Sequence, residues 1–300
     1  VSVGHIFLMQ GVFFFLLHEL ELKYDKKNCN THIMESDNDD EKKKLNNTST
    51  TMDPLLNMRL STQMIIASKR CSGKSQLIQS LVYHLAKSGR LHDAPTTIVC
   101  FCGTKDASDD YTWLPPENVR KGWSEQQAMK LLQFQMKRIN LLRRQATRAN
   151  ATVKLPHLLF LMDDVIGLNN VNTHTSPCLR MIATSGRHYG ISTIMSLQSA
   201  TQISPTLRQN TDAIICGNLT VPHLKHIHEC TQGKSWKDFL NFIGALKEYE
   251  FCFYDNVSPG NVDRFHVVKA LDFPKRRFYI RNKQKEKPKP NKAKQTQKNE

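Results

Sequence analysis

The chain has eight cysteines but no CxxC pair; they are scattered at positions 29, 71, 100, 102, 178, 216, 230 and 252. This argues against a disulfide framework and fits a reducing compartment, with Cys100, Cys216 and Cys252 serving as small hydrophobes in strands. No repeat of about 20–50 residues is present, which excludes a solenoid or propeller. Long apolar runs are missing too. Residues 6–17 are apolar but too short to span a bilayer, and Gln10 interrupts them. They also lack the basic start of a signal peptide, so no membrane partner is expected. The expectation is that translation begins at Met34 or Met52 and that earlier residues are non-native; an apolar anchor is the alternative.

What the chain does have is length for one large α/β domain plus tails, and a net charge of +15. The excess is concentrated at the end: residues 275–300 hold eleven Lys or Arg against two Glu. Rich in Lys, Pro, Gln and Asn, this tail reads as disordered and suited to a polyanion, to solubility or to nuclear targeting. Residues 26–51 are polar and of mixed charge and also read as disordered. The expected division is therefore a disordered or non-native extension over 1–51, a domain over 52–270, and a basic disordered tail over 271–300.

Within the central region, the apolar residues 64–67 run into Ser68, Lys69, Arg70, Cys71, Ser72, Gly73, Lys74, Ser75 and Gln76, and a helix-forming stretch follows to Lys87. Strand, Gly-Lys-Ser turn and helix make a P-loop, in which backbone N–H groups and the helix N-terminus cradle phosphates. Lys74 would reach the β- and γ-phosphates, and Ser75 would ligate Mg2+. The full signature has glycine where this chain has Ser68. A serine is tolerable there if its backbone is in an allowed region and costly if φ must be positive.

Residues 158–162 form a continuous apolar run, as in a buried parallel strand, and end at Asp163 and Asp164. This is the Walker B pattern: Asp163 would hold Mg2+ and Asp164 would orient or deprotonate the attacking water. Paired aspartates capping a turn is the plainer alternative. Further on, Gly186 and Arg187 lead through Gly190 into a strand over 191–197 with Gln198 at its tip, placed to touch the γ-phosphate or the attacking water. A short helix over 203–208 and a buried strand over 211–217 follow.

These ordered segments (68–75, 158–164, 186–198 and 210–217) resemble the FtsK/HerA superfamily of DNA-pumping ATPases. The resemblance is greatest to the DNA-packaging ATPases of large DNA viruses (poxvirus type) and of Polinton-like elements. It implies a RecA/FtsK-like, doubly wound, mostly parallel P-loop NTPase sheet. It also implies ATP and Mg2+ as cofactors, double-stranded DNA as partner, and a homo-oligomeric ring, six copies being the expected number. Arg187 or Arg208 would then act in trans as an arginine finger, and capsid or portal proteins would be further partners. The expected location is the host nucleus or a cytoplasmic virus assembly site, and the virion. Ser68 departs from the family's glycine. It favours the alternative, an ATP- and DNA-binding adaptor with little turnover. A small-molecule kinase is disfavoured because no lid or acceptor segment is evident.

Between the motifs, residues 96–102 read as a second strand, 105–121 as a loop and 124–149 as a long helix. Its apolar stripe is Ala128, Leu132, Met136, Ile139 and Leu142; Lys137, Arg138, Arg143, Arg144 and Arg148 make another face basic, for solvent or for DNA or a neighbouring subunit. A helix is expected near 176–185 and a closing pair of strands at 249–254 and 264–268. His223, His226 and Cys230 would share a helix face, but no paired ligand set lies nearby in sequence and the resemblance implies no zinc.

Overall fold

The computed structural model describes residues 31–33, 52–59, 61–91, 96–103, 110–166, 171, 173–231, 234–257, 264–273 and 280–282. Most of the expected N-terminal extension and basic tail lies outside the described residues. Thr31–Ile33 and Ile280–Asn282 form a separate two-stranded sheet. Among the described residues no helix is long and apolar enough to cross a membrane.

The main sheet contains β1 (Gln63–Ala67), β2 (Thr96–Cys102), β3 (Val119–Lys121), β4 (His157–Asp163), β5 (Ile191–Leu197), β6 (Ala213–Cys216), β7 (Glu250–Asp255) and β8 (Phe265–Lys269). Their spatial order is β3-β2-β4-β5-β1-β6-β7-β8. The strands from β3 through β6 pair in parallel, and β7 and β8 close the sheet antiparallel. This is the expected mostly parallel α/β P-loop NTPase sheet. One expectation is corrected: residues 119–121 form an edge strand where a loop was expected, joined to β2 through Cys100 opposite Val119.

Seven helices cover the sheet among the described residues: α1 (Asp53–Leu56), α2 (Lys74–Lys87), α3 (Glu125–Ala149), α4 (Pro177–Ser185), α5 (Pro205–Gln209), α6 (Val221–His228) and α7 (Trp236–Gly244). Burial on both faces explains why β1 and β4 are apolar over most of their length; β5 is equally buried but carries the hydroxyls of Ser192, Thr193 and Ser196. On one face Leu77, Ile78, Leu81 and Val82 of α2 pack with Met64, Ile66, Leu161 and Ile215. On the other, Ala128 and Leu132 of α3 and Leu179 and Ile182 of α4 pack with Ile65, Phe160 and Met195. Helices α6 and α7 cover the β6–β7 end through Leu224, Ile227 and Phe239.

Helix starts follow serine chemistry. Ser124, Ser176, Ser204 and Ser235 each accept a hydrogen bond from an N–H in the first turn of α3, α4, α5 and α7. Glu125 ties two of these starts together, accepting from Ser176 Oγ at 2.7 Å and from Cys178 N at 2.8 Å. The basic face of α3 is partly committed: Arg143 donates to the His188 carbonyl at 2.6 Å, while Arg144 and Arg148 are exposed.

Candidate functional site

Strand β1 delivers Ser68 to the carboxyl edge of the sheet, between β5 and β6. Ser68 N donates to Leu197 O at 3.1 Å and Gly217 N donates to Ala67 O at 3.0 Å, so the base of the loop is pinned from both sides. Ser68 is not among the residues with positive φ. A Cβ at position 217 would collide with Ser68 Oγ and sit 3.1 Å from its Cβ. The chain therefore accommodates a serine in place of the expected glycine by having glycine opposite it. Left-handed backbone occurs instead at Cys71 (φ 56°) and at Gly73 (φ 89°), which N-caps α2. For exposed Cys71 that conformation is strained, since an L side chain crowds there.

Lys74 is buried to 6 % exposure and donates to the carbonyls of Ser68 at 3.0 Å and Lys69 at 2.8 Å. Burial lowers its pKa, opposed by the charges of Asp164 and Asp163. Ser75 Oγ donates to Asp163 Oδ2 at 2.9 Å, which brings the P-loop and the end of β4 together. Asp163 is 2 % exposed and accepts two further hydroxyls: Tyr111 OH to Oδ2 at 2.9 Å, and Ser196 Oγ to Oδ1. Burial, and then the Asp163 charge, push the Tyr111 phenol well above its usual pKa, so it remains a donor.

Asp164 has φ of 49°, a left-handed conformation that aspartate tolerates better than most residues. Its N–H donates to Ser196 Oγ at 3.0 Å and its Oδ2 accepts from Gln198 Nε2 at 3.0 Å. Gln198 Oε1 in turn accepts from Arg70 Nε at 3.0 Å. One network thus runs from Arg70 through Gln198, Asp164, Ser196 and Asp163 to Ser75. Two buried oxygens at this edge, Ser68 Oγ and Asp164 Oδ1, have no hydrogen-bond partner among the described residues. The positive-φ loop, the buried ammonium and the hydroxyl-carboxylate pair fit a polyphosphate with a divalent cation; Ser75 and Asp163 would hold the cation.

Arg187 is elsewhere. It pairs with Asp212 at 2.8 Å and donates to Asn210 O at 3.2 Å, while Asp212 accepts from Gln63 N, the first residue of β1. That is the amino end of the strands, roughly 16 Å of strand rise from the P-loop of the same chain. Burial raises the Cys230 thiol pKa, and the charge of Arg208 nearby opposes that. Among the described residues neither arginine is joined to the chain's own P-loop network. The His223, His226 and Cys230 set is likewise dispersed. His223 contacts Ser199 Oγ at 3.3 Å, His226 pairs with Glu229 at 3.5 Å, and Cys230 donates to His226 O.

Sequence reasoning missed Tyr111, Ser196 and Gly217. A signal existed for Ser196: a hydroxyl in a fully buried strand must find a partner. Each such residue of β5 does. Ser192 meets His157, Thr193 meets Gln63, and Ser196 meets Asp163.

The family model for the Poxvirus A32 protein matches residues 50–252, which contain every segment of this network. The chain belongs to the Poxvirus A32 protein family. The match begins just before α1 and ends inside β7, so it takes in the P-loop, both aspartates and Gln198. No curated protein matches the chain. Among solved structures, the genome packaging NTPase B204 from Sulfolobus turreted icosahedral virus 2, in complex with sulfate, is 16 % identical with a TM-score of 0.50; the match covers 71 % of this chain and 98 % of that one. EssC (ATPases 2 and 3) from Geobacillus thermodenitrificans is also 16 % identical at a TM-score of 0.50, over 71 % of this chain and 40 % of that one. At these identities the likeness is one of fold, and the fold is that of this A32-family chain.

Proposed function

We propose that this chain is an ATP-hydrolysing motor subunit that moves double-stranded viral DNA into a capsid. The observation that carries the reading is the single hydrogen-bonded network joining P-loop, Asp163, Asp164 and Gln198 at one sheet edge, in a chain of the Poxvirus A32 family. Membership of that family and a fold shared with a genome packaging NTPase support it.

The loop N–H groups and Lys74 bind the phosphates of ATP, Lys74 exchanging its two carbonyl partners for phosphate oxygens. Mg2+, when bound, neutralises charge on the β- and γ-phosphates. Asp164 orients or deprotonates the attacking water, with Oδ2 held by Gln198 and Oδ1 without a partner among the described residues. Gln198 couples that carboxylate to Arg70 of the loop, so a change at the γ-phosphate is felt on both. Arg187 or Arg208 serves in a neighbouring copy's site within a homo-oligomeric ring. The basic residues of 275–300 neutralise DNA phosphates without reading sequence. Capsid or portal proteins would be the docking partners, at a virus assembly site. The adaptor reading draws on the departure from glycine at Ser68; the absence of positive φ there and the glycine opposite favour the motor reading over it.

The test is ATP hydrolysis by the full chain with and without linear duplex DNA. DNA-stimulated turnover that Lys74→Ala abolishes is expected; turnover indifferent to DNA would leave an NTPase and remove the translocase. Arg187→Ala should hydrolyse slowly, and mixing it with Asp164→Asn should restore some activity if the arginine acts in trans.

A further inference from the structure

Tyr249 occupies a position that backbone geometry disfavours. Residues 247–250 close a tight turn in which Glu250 N donates to Lys247 O at 3.1 Å and the Glu250 carboxylate accepts from Lys247 N at 2.9 Å. Tyr249 is the third residue of that turn, with φ of 62°. Glycine or asparagine fills such a position by default, and a bulky aromatic there is an outlier. The side chain is not recovered into the core either, since Tyr249 is 48 % exposed. Neither burial nor backbone preference accounts for tyrosine here.

Its location does. Strand β7 begins at Glu250 and runs antiparallel to β6, with Cys252 opposite Cys216, so its start lies beside the carboxyl end of β6. Strand β6 neighbours β1, whose carboxyl end opens the P-loop. The ring edge of Tyr249 meets Gly73: a Cβ on Gly73 would lie 3.1 Å from Cδ1 and 3.8 Å from Cε1. A half-exposed aromatic ring is thereby held against the residue that precedes Lys74. The charge of the adjacent Glu248 raises its phenol pKa. The turn bonds and the sheet register place the ring beside Gly73 before any ligand binds, so stacking on it loses little ordering entropy.

We propose that Tyr249 is the platform on which the base of the bound nucleotide stacks. The proposal rests on the reading of the P-loop as a nucleoside-triphosphate site. With the phosphates anchored at Lys74 and Ser75, the sugar and base must leave along the flank of the loop, and Tyr249 lines one flank at Gly73. An aromatic face accepts any base, so the platform supplies affinity without selecting among purines.

Titration calorimetry of the full chain with ATPγS and with inorganic triphosphate, each in Mg2+, tests this. Tyr249→Ala should weaken ATPγS roughly ten- to hundred-fold and leave inorganic triphosphate unchanged. Tyr249→Phe should retain wild-type affinity for both, and wild type should bind GTPγS within several-fold of ATPγS. Tyr249→Gly, which suits the positive φ, should melt at or above the wild-type temperature while sharing the Ala defect. Equal losses for both ligands in Tyr249→Ala would overturn the proposal, because Tyr249 would then be a prop for the loop; unchanged ATPγS affinity would overturn it as well. A wild-type chain that binds neither ligand would refute the P-loop reading itself, a result distinct from both.

Discussion

Gln198 donates its side-chain amide to Asp164 Oδ2 at 3.0 Å, linking the tips of β4 and β5. Asparagine at 164 would keep an oxygen for that donor and would tolerate the left-handed φ, yet it cannot take a proton. Asp164→Asn should therefore bind ATPγS as wild type does and lose about 10²- to 10⁴-fold in turnover. Gln198→Ala should lose less, because the backbone of Asp164 remains tied to Ser196. Steady-state hydrolysis beside nucleotide affinity checks both; wild-type rates in Asp164→Asn would refute the role.

Tyr111 shares Asp163 Oδ2 with Ser75, each at 2.9 Å. A phenol wholly buried in this way holds the carboxylate in one orientation. Removing a group that orients a metal ligand costs about 10- to 100-fold in metal affinity or activity. Tyr111→Phe should accordingly raise the Mg2+ concentration needed for half-maximal hydrolysis by a factor in that range. An unchanged Mg2+ titration would show that Ser75 and Ser196 suffice to orient Asp163.

Ser68 and Gly217 are complementary in volume. Ser68→Gly should be nearly neutral for nucleotide binding, since Ser68 has no positive φ to relieve. Gly217→Ala should destabilise by about 1–3 kcal/mol, because its Cβ would press on Ser68 and lie 3.2 Å from Phe251 Cδ1. The double variant should recover part of that loss, leaving only the Phe251 contact. Chemical denaturation of the four proteins gives the coupling; strict additivity would mean that the two positions do not compete for space.

The strands that carry the site could be read in sequence because burial on both faces forces unbroken apolar runs, as in 158–162. The edge strand Val119–Lys121 could not, since it is short and no residue of it is buried. Helix α7 was not recognised either, although Phe239 and Ile243 give it a buried face. Lys74, Ser75, Asp163, Asp164 and Gln198 can be picked out by local spacing, and the structure brings them to one sheet edge. Tyr111, Gly217 and Tyr249 were not, because each acts on a residue distant in sequence: Asp163, Ser68 and Gly73 respectively. Ser68 showed the same limit from the other side, since its departure from glycine has meaning only beside Gly217.

His157 opens β4 in the buried layer, with Nε2 2.9 Å from Ser192 Oγ and Nδ1 without a partner among the described residues. Burial lowers its pKa from 6.5 to about 4. Between those values the unfolded chain binds a proton that the folded chain does not, so stability rises with pH there. The contribution is fully present above about pH 6.5 and is lost progressively as pH falls toward 4, up to about 3 kcal/mol in all. His84, also held down by burial, adds a slope of the same sign. Melting temperature should therefore fall steadily from pH 7 to pH 4.5, and His157→Asn, which cannot titrate, should show a shallower fall. Parallel curves for the two proteins would mean that His157 is protonated in the folded state and that its ring finds a charge partner.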